Sequence, residues 1–152
     1  MAVTKQMVQQ VLITRLGKIL TDLGFEVVLS GNLDYLEDPM GWGLRMIEIP
    51  TADLTEITDG EVASMSDDDV DEFLDYSEYR LIQNLIKNAP DVDVKVGHRT
   101  EEFSQLANRL IQMFDRKRTE IRQIYGFGLG GLTSGVIDLN SLTTSDDENV
   151  GL

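Results

Sequence analysis

Residues 66–88 read SDDDVDEFLDYSEYRLIQNLIKN, and their periodicity decides the fold class. The stretch predicts a helix from Ser66 to about Asn88, stopped by Pro90. The Ser66 hydroxyl can accept from the open backbone N–H groups of the first turn, and Asp67 to Asp69 sit where the helix dipole favours negative charge. Val70, Phe73, Leu74, Leu81 and Leu85 share one face. Tyr79, Ile82 and Ile86 fall on a second face more than about 100° away by helical geometry. A helix apolar on two sides must be covered on two sides. Two arrangements do this: a central helix in one small core, or a helix whose second face meets a neighbouring subunit.

Towards the C-terminus, Val92, Val94 and Val96 alternate with Asp91, Asp93 and Lys95, the period of a half-exposed strand or extended arm that Gly97 ends. Thr100 then caps a last long helix over 101–125, with the stripe Phe103, Leu106, Ala107, Leu110, Phe114, Ile121 and Tyr125 and a stop at Gly126. Lys117 interrupts that stripe, pointing with the apolar residues. Such a lysine lays its stem on apolar surface, or meets an acid across an interface. From 127 onward Gly128, Gly130, Gly131 and Gly135 remove stiffness, and Asp146, Asp147 and Glu148 add unbalanced charge. Alone this segment should be disordered, and Leu129, Leu132, Val136, Ile137 and Leu139 are the anchors by which a partner would grip it.

Towards the N-terminus, Val3, Met7/Val8, Val11/Leu12, Leu16, Ile19/Leu20 and Leu23 step by three and four, a helix over 3–23 stopped by Gly24. Phe25 to Leu29 reads as a strand, followed by the turn residues Ser30, Gly31 and Asn32. Proline and two glycines make 38–43 non-helical. Arg45 to Ile49 reads as a second strand, able to pair with the first as a hairpin. Residues 50–65 read as a connector with scattered acids. The predicted class is therefore mainly α: a helical bundle with two long antiparallel helices, an N-terminal helix, a small β-hairpin or extended arm, and an extended C-terminal tail. One domain would span 1–126, made of a helix-plus-hairpin region over 1–59 and a helical hairpin over 66–126, with a docking tail over 127–152.

The net charge of −14 repels phosphate backbones, so free DNA is a poor ligand. It fits solubility by self-repulsion, a wall past which DNA slides, or a DNA mimic. The charges are segregated. Seven acids and no base lie between Ser66 and Glu78, and seven of the thirteen bases between Lys95 and Arg122. An antiparallel pair of long helices sets the acids beside Arg116, Lys117, Arg118 and Arg122, within one subunit or between neighbours. No cysteine is present, which removes disulfides, thiol catalysis and thiolate metal sites. The single histidine, His98, has no motif supplying a nucleophile or an orienting acid. No apolar run reaches the roughly 20 residues needed to span a bilayer, and the first twenty residues lack signal-peptide features, so folding in a cytoplasm is expected.

The chemical motifs are weak. Asp67 to Glu72 lacks the alternating ligands, central glycine and terminal glutamate of a calcium loop. Gly126 to Gly131 follows a helix rather than a strand and carries no lysine with a hydroxyl residue after it, so it is not a phosphate loop. Tyr76 and Tyr79 could stack on bases, but the acids around them oppose it. Trp42, between glycines, is either a core plug under a loop or an exposed anchor for a partner. The expectation is a non-enzyme with no catalytic residue, cofactor or metal.

The segment from Ser66 to Gly126 resembles the helical head-to-tail adaptor proteins of tailed phages. Ser66-Asp67-Asp68-Asp69 opens a helix carrying Phe73-Leu74-Asp75-Tyr76-Ser77-Glu78. The arm Val92-Asp93-Val94-Lys95-Val96-Gly97 follows, and Arg99-Thr100-Glu101 leads to Phe103-Ser104-Gln105-Leu106-Ala107 and on to Ile124-Tyr125-Gly126. The resemblance implies a ring of identical subunits under the portal, usually dodecameric, in the neck of a virion assembled in a host cytoplasm. It implies a C-terminal segment docked on the portal, an opposite face receiving the next neck or tail protein, and DNA passing through without specific binding. In that frame Tyr79, Ile82 and Ile86 would cover a neighbour, Val92, Val94 and Val96 would add an edge to another chain, and the tail would enter a partner cleft. The block 1–59 exceeds the small adaptor pattern, which leaves a stopper or tail-completion protein as an alternative. An acidic DNA-mimic inhibitor is the rival from another class.

Overall fold

The structure, a computed structural model, describes residues 2–31, 33–88 and 100–126, with side chains from 105 onward in the last segment. Among the described residues it is mainly helical and has no strand. The helices are α1 (Lys5–Asp22), α2 (Glu37–Met46), α3 (Asp59–Ala63), α4 (Val70–Lys87) and α5 (Thr100–Tyr125). Short 3-10 turns, Asp34–Leu36 and Asp67–Asp69, lead into α2 and α4. None of the described helices is long and apolar enough to cross a membrane.

The chain divides into two compact units, Met1–Lys117 and Arg118–Leu152, with the boundary inside α5. In the second unit the described residues are the last turns of α5, closed by Gly126 at φ 70, whose N–H donates to the Arg122 carbonyl at 3.0 Å. The anchors Leu129, Leu132, Val136, Ile137 and Leu139, the arm Val92, Val94 and Val96, and His98 lie outside the described residues.

In the first unit α1 forms where its periodicity places it. Thr4 caps it, its hydroxyl accepting from the Met7 N–H at 3.2 Å. Val8, Leu12, Leu16, Ile19 and Leu20 are buried along one stripe. Gly24 closes it at φ 87: its N–H donates to the Thr21 carbonyl, and the Phe25 N–H to that of Leu20. This paired closure satisfies carbonyls that the last turn would otherwise leave open.

The expected hairpin is absent. Phe25 to Leu29 is irregular chain laid on the core: Phe25, Val27 and Leu29 are half-buried and Val28 is exposed. The two-residue alternation is thus real, but it serves burial without a partner strand. The Tyr35 hydroxyl donates to the Glu26 carbonyl, and the Phe25 and Tyr35 rings lie 4.9 Å apart. The supposed partner, Arg45 to Ile49, is occupied in ending α2.

Helix α2 runs directly through the stretch that proline and glycine were expected to break. Pro39 lies in the first turn, where N–H groups have no intrahelical acceptor, so its missing donor costs nothing. Gly41 and Gly43 are buried where other parts of the chain approach. A Cβ on Gly43 would meet the Phe73 carbonyl oxygen at 3.1 Å and press on Ser77 Oγ. The glycines are helix-packing residues here. The connector 50–65 likewise holds α3, opened by a capping box in which Thr58 Oγ1 accepts from the Glu61 N–H and Glu61 Oε1 accepts from the Thr58 N–H.

Helix α4 is the centre. It packs mainly on α2 and also meets α1. Phe73, Leu74, Leu81 and Leu85 are buried, and so are Tyr76, Tyr79 and Ile82. As numbering rises along α5 from Phe114 to Lys117, the α4 partners fall from Tyr79 to Asp75, so the two helices run antiparallel.

Candidate functional site

The most organised polar group in the first unit joins α1, α4 and α5. Asp75 and Glu78, one turn apart on α4, turn inward. Lys117 Nζ donates to Asp75 Oδ1 at 2.8 Å and lies 3.2 Å from Glu78 Oε1. The Arg15 guanidinium reaches Glu78 Oε1 at 2.9 Å and Asp75 Oδ1 at 3.3 Å. The Lys117 side chain is only 9 % exposed and both carboxylates 14 %. Burial works against a charge on Arg15, but hydrogen bonding and attraction from Glu78, then Asp75, outweigh it and raise its pKa above the ordinary value. Two cations and two carboxylates make a neutral quartet, the arrangement in which charge tolerates burial.

A second polar group lies between α2 and α4. Asp38 Oδ2 accepts from Arg80 Nε at 2.9 Å and Asn84 Nδ2 at 2.7 Å. Burial opposes ionisation of Asp38, but the Arg80 and Asn84 hydrogen bonds prevail and hold its carboxyl below the usual carboxylate value. The Arg80 guanidinium also lies over the Trp42 ring, 5.7 Å from its centre. Trp42 stacks at 5.9 Å on Tyr79, which stacks at 4.9 Å on Phe114, while Tyr76 meets the indole edge-on. Trp42 is therefore a half-buried plug between α2 and α4, carried on a helix where a loop was expected. Burial, reinforced by Glu72, pushes the Tyr76 phenol up to about 12.

A third group ties α3 to the start of α1. Lys5 Nζ lies 2.7 Å from Glu37 Oε2 and donates to the Ile57 carbonyl at 3.2 Å. The Lys5 N–H donates to Asp59 Oδ1, and Glu37 Oε1 accepts from the Ile57 N–H. These contacts hold an acidic stretch of surface chain. Between Met46 and Tyr79 there are twelve acids and no base. Glu48, Asp53, Glu56, Asp59, Asp67, Asp68 and Asp71 are exposed. The Thr55 hydroxyl and N–H hold Asp53 below the usual carboxylate value, and the Ala52 and Thr58 N–H groups do the same for Glu61. Among the described residues no group of three His, Cys, Asp or Glu side chains could hold a metal ion.

The residues expected at a subunit interface are dispersed. Tyr79 and Ile82 are each 1 % exposed within this chain, so they are core and not an outward surface for a neighbour; α2, α1 and α5 supply the second cover that α4 requires. Ile86 is half-buried against the same core. Lys117 meets acids of its own subunit. Arg118 is half-buried, and Arg116 and Arg122 are exposed. Arg15, Lys5, Asp38 and Arg80 escaped the sequence reading, because the ion pairs they make join residues 32 to 63 positions apart. The Thr58–Glu61 capping box, by contrast, had a local signal, a threonine followed three residues later by a glutamate. Compared with protein-family models, with curated proteins and with solved structures, the chain matches none.

Proposed function

We propose that this chain is a structural adaptor of a tailed-phage neck, a ring subunit that joins the portal to the tail and lets DNA pass. The observation that supports this most is the division of its acids. The chain turns Asp75 and Glu78 inward to Lys117 and Arg15, and leaves Glu48, Asp53, Glu56, Asp59, Asp67, Asp68 and Asp71 on the surface with no base between Met46 and Tyr79. Surface chain of that kind repels a phosphate backbone, as a DNA passage requires. The resemblance of 66–126 to phage adaptors supplies the partner, and the tail 127–152 is the proposed portal-docking segment.

The same exposed acids favour a second reading, a soluble DNA mimic that occupies a basic enzyme. Electron microscopy of the full chain mixed with a portal separates the two. The adaptor reading expects a symmetric ring on the portal, with no competition against DNA for basic proteins. A chain that stays monomeric beside the portal and displaces DNA from a basic enzyme would overturn it in favour of the mimic.

A further inference from the structure

We propose that the quartet Lys117, Asp75, Glu78 and Arg15 is a register lock that gives α5 one axial setting on α1 and α4. The lock is independent of what the chain assembles with.

The apolar stripe of α5 defines its own height only weakly. Leu106, Leu110 and Phe114 recur every four residues, and Leu110 is buried while Leu106, Met113 and Phe114 pack half-buried against the core. A slide by one turn, about 5.4 Å, exchanges Leu106, Leu110 and Phe114 for one another and leaves a mostly apolar seam, with Arg118 entering the half-buried place of Phe114 when the slide runs towards the α5 N-terminus. Lys117 breaks this degeneracy. In the observed register its ammonium sits between Asp75 and Glu78, at 2.8 and 3.2 Å. A one-turn slide either way brings Met113 or Ile121 to that place. The slipped helix would then press an apolar side chain on two carboxylates that are 14 % exposed, leaving Arg15 as the only base of the quartet beside them. A polar residue in an otherwise apolar seam selects register in this way. The Arg109–Asp22 pair, 3.2 Å apart, agrees with the same setting, but both side chains are a third or more exposed and hold it weakly.

The absence of cysteine permits a direct test with paired nitroxide labels on the full chain. The sites are Gln10→Cys on α1 and Asn108→Cys on α5, both exposed. Arg109 faces Asp22 and Lys117 faces Arg15's partners, so α5 runs antiparallel to α1 and the two labels are offset along it. The parent should give one distance. Neutralising the lock by Lys117→Met, Asp75→Asn and Glu78→Gln should add a second population displaced by about one turn, roughly 5 Å. Moving the lysine, with Lys117→Ile and Ile121→Lys, should lengthen the distance by about the same amount as the ammonium regains the acids. That variant keeps the composition and decides the matter if the neutral triple variant does not fold. A single parental distance in the relocated variant would overturn the proposal, as would one in a folded triple variant.

Discussion

Gly43 of α2 lies against the backbone of Phe73 in α4, so close that a Cβ there would stand 3.1 Å from the Phe73 carbonyl oxygen. In an open helix, glycine to alanine gains about 1 kcal/mol. Here the neighbour is backbone and cannot swing away, and overpacking of this kind costs about 1–3 kcal/mol. Gly43→Ala should therefore lower stability by up to about 2 kcal/mol in urea unfolding, the net of those two effects. Gly41→Ala should be neutral or stabilising, because its nearest neighbours are side-chain atoms of Arg45 and Ile57 at 3.3 and 3.4 Å. Equal losses at both positions would refute the close approach of α2 and α4 at Gly43.

Ser77 completes that contact. Its hydroxyl is fully buried and has no hydrogen-bond partner among the described residues. Removing an unsatisfied hydroxyl relieves a desolvation penalty of about 1–3 kcal/mol, less the small void that results. Ser77→Ala should leave stability unchanged or raise it. It should also recover part of the Gly43→Ala loss, because the new Cβ presses on the atom removed. A double-mutant cycle reads this coupling directly, and strict additivity would mean that the two residues do not touch.

Glu48 closes α2 as Gly24 closes α1. Its N–H donates to the Arg45 carbonyl and the Ile49 N–H to that of Leu44, with Glu48 at φ 68. A left-handed conformation costs a non-glycine residue about 1–2 kcal/mol, part of which glycine returns through its freer unfolded chain. Glu48→Gly should raise stability by about 0.5–1 kcal/mol on that difference, and Gly24→Ala should lower it by about 1–2 kcal/mol. Thermal unfolding of the two variants should move in opposite directions.

These residues explain what could be read in advance. The four-residue spacing of Val8, Leu12, Leu16 and Leu20 and the stop at Gly24 are local, so α1 was legible to within two residues. The core of α4 was legible too, but not which of its two covering arrangements holds, since α2 supplies much of the second cover and was itself misread. Gly41 and Gly43 mean a break when only neighbours in sequence are considered, and a close contact once α4 is alongside. Glu48 carries no sign of the closure it makes. Lys117 stood out by its position in an apolar stripe, but Arg15, its fellow in the quartet, lies 102 positions earlier and had no local mark.

Asp38 should make stability fall in acid. Its carboxyl is held below its ordinary value of 3.8 by Arg80 and Asn84 against the effect of burial. A depressed folded pKa stabilises fully above the unfolded value, and the contribution is lost as pH falls below 3.8 and through the lower folded value. The difference in unfolding free energy between the parent and Asp38→Asn should be largest near neutrality and should shrink once pH drops below the ordinary carboxylate range. Urea unfolding across that range measures it. A difference that stays constant with pH would show that Asp38 acts through packing and not through its charge.

Removal of residues 127–152 should separate folding from attachment. The first compact unit ends at Lys117, and truncation after Gly126 leaves every described helix whole. The unfolding midpoint of the first unit should therefore match that in the full chain. Portal binding, by the reading proposed above, should be lost, because Leu129, Leu132, Val136, Ile137 and Leu139 go with the segment. Co-sedimentation with portal measures it, and a Leu132→Asp, Ile137→Asp variant of the full chain checks that side chains rather than mere length are responsible. Undiminished binding by the truncated chain would move the docking surface onto residues 1–126 and leave the acidic segment from Glu48 to Asp71 as the place to look.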